Sequence, residues 1–196
     1  MNISKIAFGA FLGLCLAAQP SFAANYKIDA DHTTVSFKVK HLFSNVQGNF
    51  KKFEGSFVYD PDKPETWKTE ATIQADSIDT NVAERDKHLR SKDFLEVEKY
   101  PTVAFKSTGV TDVTPAGAKL NGLLTIHGIE KPVVLDLEIL GEAKDPWGNV
   151  AAGFTATTKI NRKDFGLTWN QALETGGVLV GEEITITLEV AGLLQE

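Results

Sequence analysis

The feature of this sequence that most constrains its fold is a regular alternation of apolar and polar side chains. Between residues 34 and 40, apolar Val35, Phe37 and Val39 alternate with polar residues, and similar runs recur as far as residue 190. Such a two-residue period places one face of a β-strand in the interior and the other in solvent. The alternation slips by one residue at Lys51-Lys52, which indicates a β-bulge. The chain after residue 30 therefore predicts an all-β protein.

About eight strands follow from this pattern, separated by turn signals such as Pro115-Ala116-Gly117, His127-Gly128 and the segment 145–149. Eight antiparallel strands close into a barrel that can hold one small ligand. Several runs are longer than an ordinary strand, so the barrel would be tall and its interior long. A two-sheet sandwich with a filled core has the same period and is the alternative. We predict a single antiparallel barrel of about eight strands with one short, charged helical insert.

The positions that the alternation places on the inner face of these strands supply candidate residues for the lining of a cavity. Small residues such as Ala71, Gly122 and Ala152 occupy inward positions and leave room that larger aliphatic side chains would fill. Trp169 lies in a long irregular stretch, which is typical of a lid or binding loop but equally suits a plug. His41 shares the inward parity, and a satisfied core histidine is its alternative role. The candidates are Phe37, Val39, His41, Ala71, Ile73, Phe105, Leu124, Ala152, Phe154 and Trp169.

The segment 81–95 departs from the strand pattern, because charged residues separate its few apolar ones. Asn81 followed three residues later by Glu84 has the spacing of a capping box, so we expect a helix to begin there. Arg85 and His88, with Arg90, are candidates for binding the polar head of a ligand at a barrel mouth, Arg through its bidentate fork. Salt bridging on a solvated helix surface is the alternative for the same residues.

The N-terminal residues 1–23 have the pattern of a secretory signal peptide. Lys5 supplies the positive charge, residues 6–18 the apolar core, and Ser21-Phe22-Ala23 the small-residue cleavage site. We expect a mature chain of residues 24–196, a single periplasmic domain without cysteine, since Cys15 lies in the leader. The formal net charge of −6 argues against nucleic acid and against electrostatic attachment to anionic membranes.

Sequence motifs for catalysis or cofactor binding are not found in this chain. It contains no Gly-x-Ser-x-Gly elbow, no Gly-x-Gly-x-x-Gly turn and no Walker-type loop. Glu84 and His88 are four residues apart and could form half a metal site, but a plain helical side-chain pair is the favoured interpretation. We therefore predict no catalytic residue, no metal and no cofactor.

Several short motifs resemble those of the YceI-like proteins. They are Lys40-His41-Leu42, Phe53-Glu54-Gly55, the segment 81–91, Phe94-Leu95, Tyr100-Pro101, Gly122-Leu123-Leu124-Thr125, Lys131-Pro132-Val133, Asp145-Pro146-Trp147-Gly148 and Lys163-Asp164-Phe165-Gly166. Together they cover the whole chain after the leader. The resemblance implies an extended, lipocalin-like antiparallel barrel that holds polyisoprenoid-type lipids.

The leading hypothesis from the sequence is a periplasmic carrier that holds a long apolar ligand, an isoprenoid or similar lipid, inside the barrel. An enzyme that uses His88 or His41 as acid and base is the second candidate. A stress or interaction protein with an incidental cavity is the third. The carrier would not be embedded in a membrane, and its oligomeric state is open between a monomer and a homodimer.

The cleavage site yields a direct prediction. The exported protein should begin at Ala24, because Ser21 and Ala23 occupy the small-residue positions that signal peptidase requires. The intact mass of protein isolated from the periplasm measures this. A mass that retains Cys15 would contradict the assignment.

Overall fold

The computed structural model describes residues 24–174 and 176–195. The expected signal peptide, residues 1–23, lies outside the described residues. In chain order the strands are β1 (Ala24–Ile28), β2 (Thr34–His41), β3 (Ser44–Phe50), β4 (Phe53–Tyr59), β5 (Lys68–Gln74), β6 (Ile78–Asp79), β7 (Thr102–Thr114), β8 (Gly117–Ile126), β9 (Ile129–Lys144), β10 (Val150–Asn161) and β11 (Val180–Leu194). Helix α1 spans Ala83–Arg90, and short 3-10 turns occupy Pro64–Thr66, Ala75–Ser77 and Arg162–Phe165.

The eleven strand segments form eight barrel strands, because three of the eight are interrupted. β1 and β2 both pair with β11, at Ile28↔Gly192 and Thr34↔Glu189, so they are two parts of one strand. β3 and β4 pair with β2 and β1 respectively, and β5 and β6 pair with β4 and β3. The break between β3 and β4 falls at Lys51-Lys52, where the alternation slips. The predicted eight-stranded antiparallel barrel is confirmed.

Closure of the barrel excludes the sandwich alternative. Each of the eight strands pairs with its neighbour in sequence, from β5 through β7, β8, β9 and β10 to β11. The last strand then pairs back to the first, which closes the sheet. The long strands make the barrel tall: the 16 residues of β9 extend over roughly 50 Å at about 3.3 Å per residue.

One end of the barrel is sealed by a cluster of aromatic side chains. Phe154 meets Phe57 and Tyr59 edge to face, with ring centroids 5.3 and 5.0 Å away. Tyr26 stacks on Phe57 at 5.0 Å, and Trp67 packs against Tyr59 at 4.9 Å. All five side chains are buried. We call these five residues the aromatic seal.

Helix α1 covers part of the opposite end, but it does not begin as the sequence predicts. Asn81 has a left-handed backbone with φ of 61°, and Val82 occupies the N-cap position without a side-chain hydrogen bond. The capping-box prediction is therefore wrong. The buried Asp86 carboxylate instead accepts hydrogen bonds from the Thr80 backbone N–H at 2.9 Å and from its hydroxyl at 2.5 Å. This pairing anchors the first turn of the helix to the chain before it.

The charge order of α1 suits a short helix. Glu84 and Asp86 lie in its first turn and Lys87, His88 and Arg90 in its last, as the helix dipole favours. Two N–H groups of Arg90 donate to the carbonyls of Asp76 and Ile78 at 2.6 and 2.5 Å. No helix among the described residues is long and apolar enough to cross a membrane.

The aromatic seal predicts an unusual titration. The Tyr26 hydroxyl donates to the Glu142 carboxylate. Burial raises the pKa of Tyr26 above the ordinary value of about 10, and this hydrogen bond is the second cause of the increase. Burial also raises the pKa of Tyr59. A tyrosine whose pKa is higher in the folded protein than in the unfolded chain stabilises the fold while it is protonated. This stabilisation is fully present below the pKa of the unfolded chain and is lost as the pH rises above about 10.

The tyrosinate absorbance of Tyr26 and Tyr59 should therefore appear only together with alkaline unfolding, followed by circular dichroism in the same samples. The Tyr26→Phe variant serves as the control, because it should lose one of these late-ionising groups. Ionisation of both rings in the folded protein near pH 10 would contradict the burial of the seal.

Candidate functional site

The barrel encloses a cavity of about 590 Å³. Its walls are inward-facing apolar side chains from both halves of the barrel, and the aromatic seal contributes Phe57, Tyr59, Trp67 and Phe154 to its closed end. Cavities of this size with a few polar groups are typical of small-molecule sites. The cavity is the candidate functional site.

Most of the residues that the alternation predicts to line a cavity do face this one. They are Phe37, Val39, His41, Ala71, Ile73, Phe105, Leu124, Phe154 and Trp169. Ala152 does not line it: the residue is only 2% exposed and packs among the aromatic side chains of the seal. Its side chain points inward, as the alternation requires, but it lies at the closed end of the barrel beside Phe154. Gly122 is covered by Phe105, whose ring occupies the space that a Cβ at this glycine would need.

The opposite end of the cavity has a mouth formed by half-buried side chains. His41 and Val46 come from the β2–β3 hairpin, Arg85 and His88 from α1, and Trp169 from the segment after β10. Leu179, just before β11, also reaches it. Three separate parts of the chain therefore meet at this opening, and polar side chains concentrate here.

A contact triad of His88, Phe94 and Trp169 lies at the mouth. The His88 ring meets Phe94 edge to face at 5.0 Å and Trp169 at 4.8 Å, and the last two rings are 5.1 Å apart. The Nε2 atom of His88 lies 3.0 Å from the Asp93 carboxylate. The pairing of His88 with Asp93 holds the imidazole beside the opening. Trp169 thus packs against the helix at the mouth, a position that suits a lid and a plug alike.

Arg85 lies beside this triad and is held by Thr80. Its Nε donates to the Thr80 hydroxyl and its Nη2 to the Thr80 carbonyl, both at 2.8 Å. These bonds take two of the five N–H groups of a guanidinium. Arg90 does not join the mouth, because its N–H groups bind the carbonyls at the other side of the helix. Of the three basic residues considered from the sequence, Arg85 and His88 therefore lie at the mouth and Arg90 does not.

A buried arginine that the sequence analysis overlooked also lines the cavity. Arg162 is only 2% exposed. It donates to the carbonyls of Leu167 at 2.5 Å, Trp169 at 2.8 Å and Gly181 at 2.9 Å. Burial lowers the pKa of Arg162 from its ordinary value. The side chain ties the segment that carries Trp169 to the barrel wall.

A signal for Arg162 exists in the sequence. The inward positions of β10 follow the alternation through Ala156, Thr158 and Ile160, and Arg162 continues the same parity. A charged residue at an inward position is unusual, since burial without hydrogen bonds disfavours it strongly. An inward arginine therefore predicts hydrogen-bond partners in the interior, and the carbonyls of the segment after β10 are such partners.

Metal ligation finds no support at this mouth. Among the described residues, no group of three or more histidine, cysteine or acidic side chains is placed to hold an ion. His88 pairs with Asp93 and not with Glu84, its neighbour on the helix.

A closed eight-stranded barrel with an apolar cavity and one polar mouth defines a class of ligand-binding barrel proteins. The family model described as the YceI-like domain matches residues 26–191, and the chain belongs to this family. A UPF0312 protein of Photorhabdus laumondii is 49% identical over 157 residues, 78% of this chain and 80% of the relative.

Solved structures show the same fold. The Campylobacter jejuni YCEI protein has a TM-score of 0.70 and 36% identity, covering 80% of this chain and 90% of its own. A polyisoprenoid binding domain from Saccharophagus degradans has a TM-score of 0.61 at 13% identity, covering 87% and 98% of the two chains. The second likeness shows the fold alone.

The cavity and the seal together predict opposite outcomes for two similar substitutions. Ala71→Phe should fill empty space and change stability little, because Ala71 lines the cavity. Ala152→Trp should destabilise the protein by about 1–3 kcal/mol, because it overpacks the aromatic seal. Denaturant unfolding of both variants measures this, with ligand removed beforehand. Equal destabilisation by the two substitutions would mean that the interior is already filled.

Proposed function

We propose that this protein binds and carries a long apolar molecule, an isoprenoid or a similar lipid, in the barrel cavity. The observation that carries the proposal is the apolar cavity of about 590 Å³, closed by the aromatic seal and open at a polar mouth. Long strands surround it, so the cavity suits an extended ligand better than a compact one.

Burial of apolar surface would supply the binding free energy. Each Å² of apolar area removed from water contributes roughly 25 cal/mol before the costs of association are subtracted. The residues along the middle of the cavity, such as Leu120, Leu135 and Ala156, offer only apolar atoms from their side chains. A hydrocarbon chain fits this lining without leaving a polar group unpaired.

The polarity of the two ends sets the direction of the ligand. The five residues of the aromatic seal carry no charged group, whereas Arg85 and His88 lie at the mouth, beside the exposed Glu84. A ligand would therefore place its apolar tail towards the seal and its polar head between these two residues. An acidic or phosphate head would gain most, because the Arg85 guanidinium keeps three N–H groups beyond the two that bind Thr80.

Two further lines support the proposal. The Saccharophagus degradans domain of the same fold is described as polyisoprenoid binding, which suggests a related ligand class here. The expected signal peptide, residues 1–23, would deliver the chain to the periplasm, where an apolar molecule needs a carrier to cross water. We therefore propose the periplasm as its location.

Catalysis is the second candidate, favoured by the His88–Asp93 pair at 3.0 Å beside the cavity. A histidine held by a carboxylate can move protons. A carrier needs Asp93 only to orient the His88 imidazole towards the ligand. We therefore propose a carrier and not an enzyme. Turnover of a bound lipid that is lost in His88→Ala would overturn that choice.

The head-group role yields a prediction for the mouth. The double variant Arg85→Ala with His88→Ala should bind lipid roughly tenfold more weakly or worse, since a hydrogen bond to a charged group contributes about 1.5–3 kcal/mol. Mass spectrometry of co-purifying lipid and titration of stripped protein with the identified lipid measure this.

Lys87→Ala is the matched control, because Lys87 is an exposed residue of the same helix outside the cavity lining. Its lipid affinity should equal that of the unmodified protein, and all variants should unfold at similar denaturant concentrations. Unchanged affinity in the double variant would leave α1 as a solvated crossover. Absence of any co-purifying lipid would favour an interaction protein with an incidental cavity.

A further inference from the structure

Exposed apolar side chains surround the cavity mouth. Phe43 is fully exposed, at 102% of its reference area, and Leu42 beside it is 37% exposed. These two residues form the turn between β2 and β3, since His41 pairs with Ser44. Val178 is 50% exposed and lies next to this turn, because the Leu42 N–H donates to the Leu179 carbonyl at 3.0 Å. Val82, 46% exposed, immediately precedes α1.

The hairpin that carries Phe43 projects from the barrel wall. β3 pairs with β2 along its whole length, but among the described residues it meets β6 only at Asn49 and Phe50. The tip of the hairpin is therefore supported from one side. A bulky apolar side chain at the end of a two-residue turn is well placed to enter an apolar phase without a change in the fold.

The same hairpin is basic in an acidic protein. Between Thr33 and Phe53 the sequence contains four lysines and no aspartate or glutamate, although the net charge of the whole chain is −6. Lys38 and Lys40 are exposed on β2, and neither has a carboxylate within 4.0 Å in the described part of the chain. The charge of this segment is therefore opposite in sign to the net charge of the chain, although the neighbouring strand β11 carries the exposed carboxylates of Glu182 and Glu183.

We propose that the rim of the mouth docks on the surface of a bilayer that contains anionic lipids. This rim consists of Leu42, Phe43, Val82 and Val178, with Lys38 and Lys40 on the hairpin. Phe43 and Leu42 enter the boundary between head groups and acyl chains, and Lys38 and Lys40 face the phosphates. The proposal rests on the lipid-carrier function, because docking brings the cavity mouth to the phase in which such a ligand dissolves. The polar mouth residues Arg85 and His88 then lie at the depth of the head groups.

A bilayer fits these observations better than a second copy of the chain. A stable protein interface buries about 800 Å² on each partner. A phenylalanine side chain offers only about 150–250 Å², and the three aliphatic residues are no more than half exposed. The rim also consists of separate tips around an opening and not of one flat face.

The test measures binding of the exported protein, with its N terminus verified by intact mass, to phosphatidylcholine vesicles with and without phosphatidylglycerol. Sedimentation should show binding that requires phosphatidylglycerol and falls as salt is added. Phe43→Ser should weaken it at least tenfold, because one buried apolar side chain changes an equilibrium constant by about that factor. Lys38→Gln with Lys40→Gln should also weaken it roughly tenfold.

Trp147→Ser is the matched control. Trp147 is 85% exposed on the β9–β10 turn, at the sealed end of the barrel, so its replacement should leave vesicle binding unchanged. Equal losses in Phe43→Ser and Trp147→Ser, or no loss in Phe43→Ser, would overturn the proposal. So would equal binding to both kinds of vesicle, or a Phe43→Ser variant whose only change is dissociation of a dimer in light scattering.

A second measurement separates docking from carriage. Stripped Phe43→Ser protein should load detergent-solubilised lipid as well as the unmodified protein does, but should take up lipid from vesicles at least tenfold more slowly. Failure of the unmodified protein to load solubilised lipid would count against the carrier function, and vesicle sedimentation would still decide the docking. Equal uptake from vesicles by both proteins would overturn the docking proposal.

Discussion

Closure of the sheet is the constraint on which the rest of this structure depends. The edge of β11 is shared by β1 at one end and β2 at the other, so a single strand joins both parts of the interrupted wall. A closed wall is held by backbone hydrogen bonds and cannot collapse when inward side chains are small. Ala71 and Ala156 therefore leave space that would be lost between two stacked layers. The cavity is a consequence of the hydrogen-bonded wall and not of any special side chain.

The two ends of the barrel are built by different physical means. Stacked and edge-to-face aromatic rings close one end, where all five side chains of the seal are buried. Buried polar side chains organise the other: Asp86 binds Thr80, Thr80 accepts from Arg85, and Arg162 satisfies the carbonyls of the segment that carries Trp169. Hydrogen bonds fix irregular chain in place without filling the opening. An apolar interior with one polar entrance follows from this division.

The distribution of charge matters more for this protein than its sum. A net charge of −6 argues against contact with anionic surfaces, yet the hairpin at the mouth contains lysines and no acidic residue. Salt screens charges over about 8–10 Å, so a surface responds to the nearest groups and hardly to the opposite end of a tall barrel. The proposed docking and the proposed carriage therefore use the same end of the molecule.

The sequence by itself determined the fold class, the strand count and the face on which each side chain lies, because alternation is a local property of extended chain. It placed Phe37, Ala71 and Phe105 on the inner face. Parity does not measure depth along the barrel, however, so Ala152 in the seal looked equivalent to Ala71 in the cavity. The spacing of Asn81 and Glu84 predicted a helix cap, but the helix begins after Val82. Depth, the role of Arg162 and the composition of the mouth were decided only by tertiary structure, because they depend on register and on contacts between segments far apart in the chain.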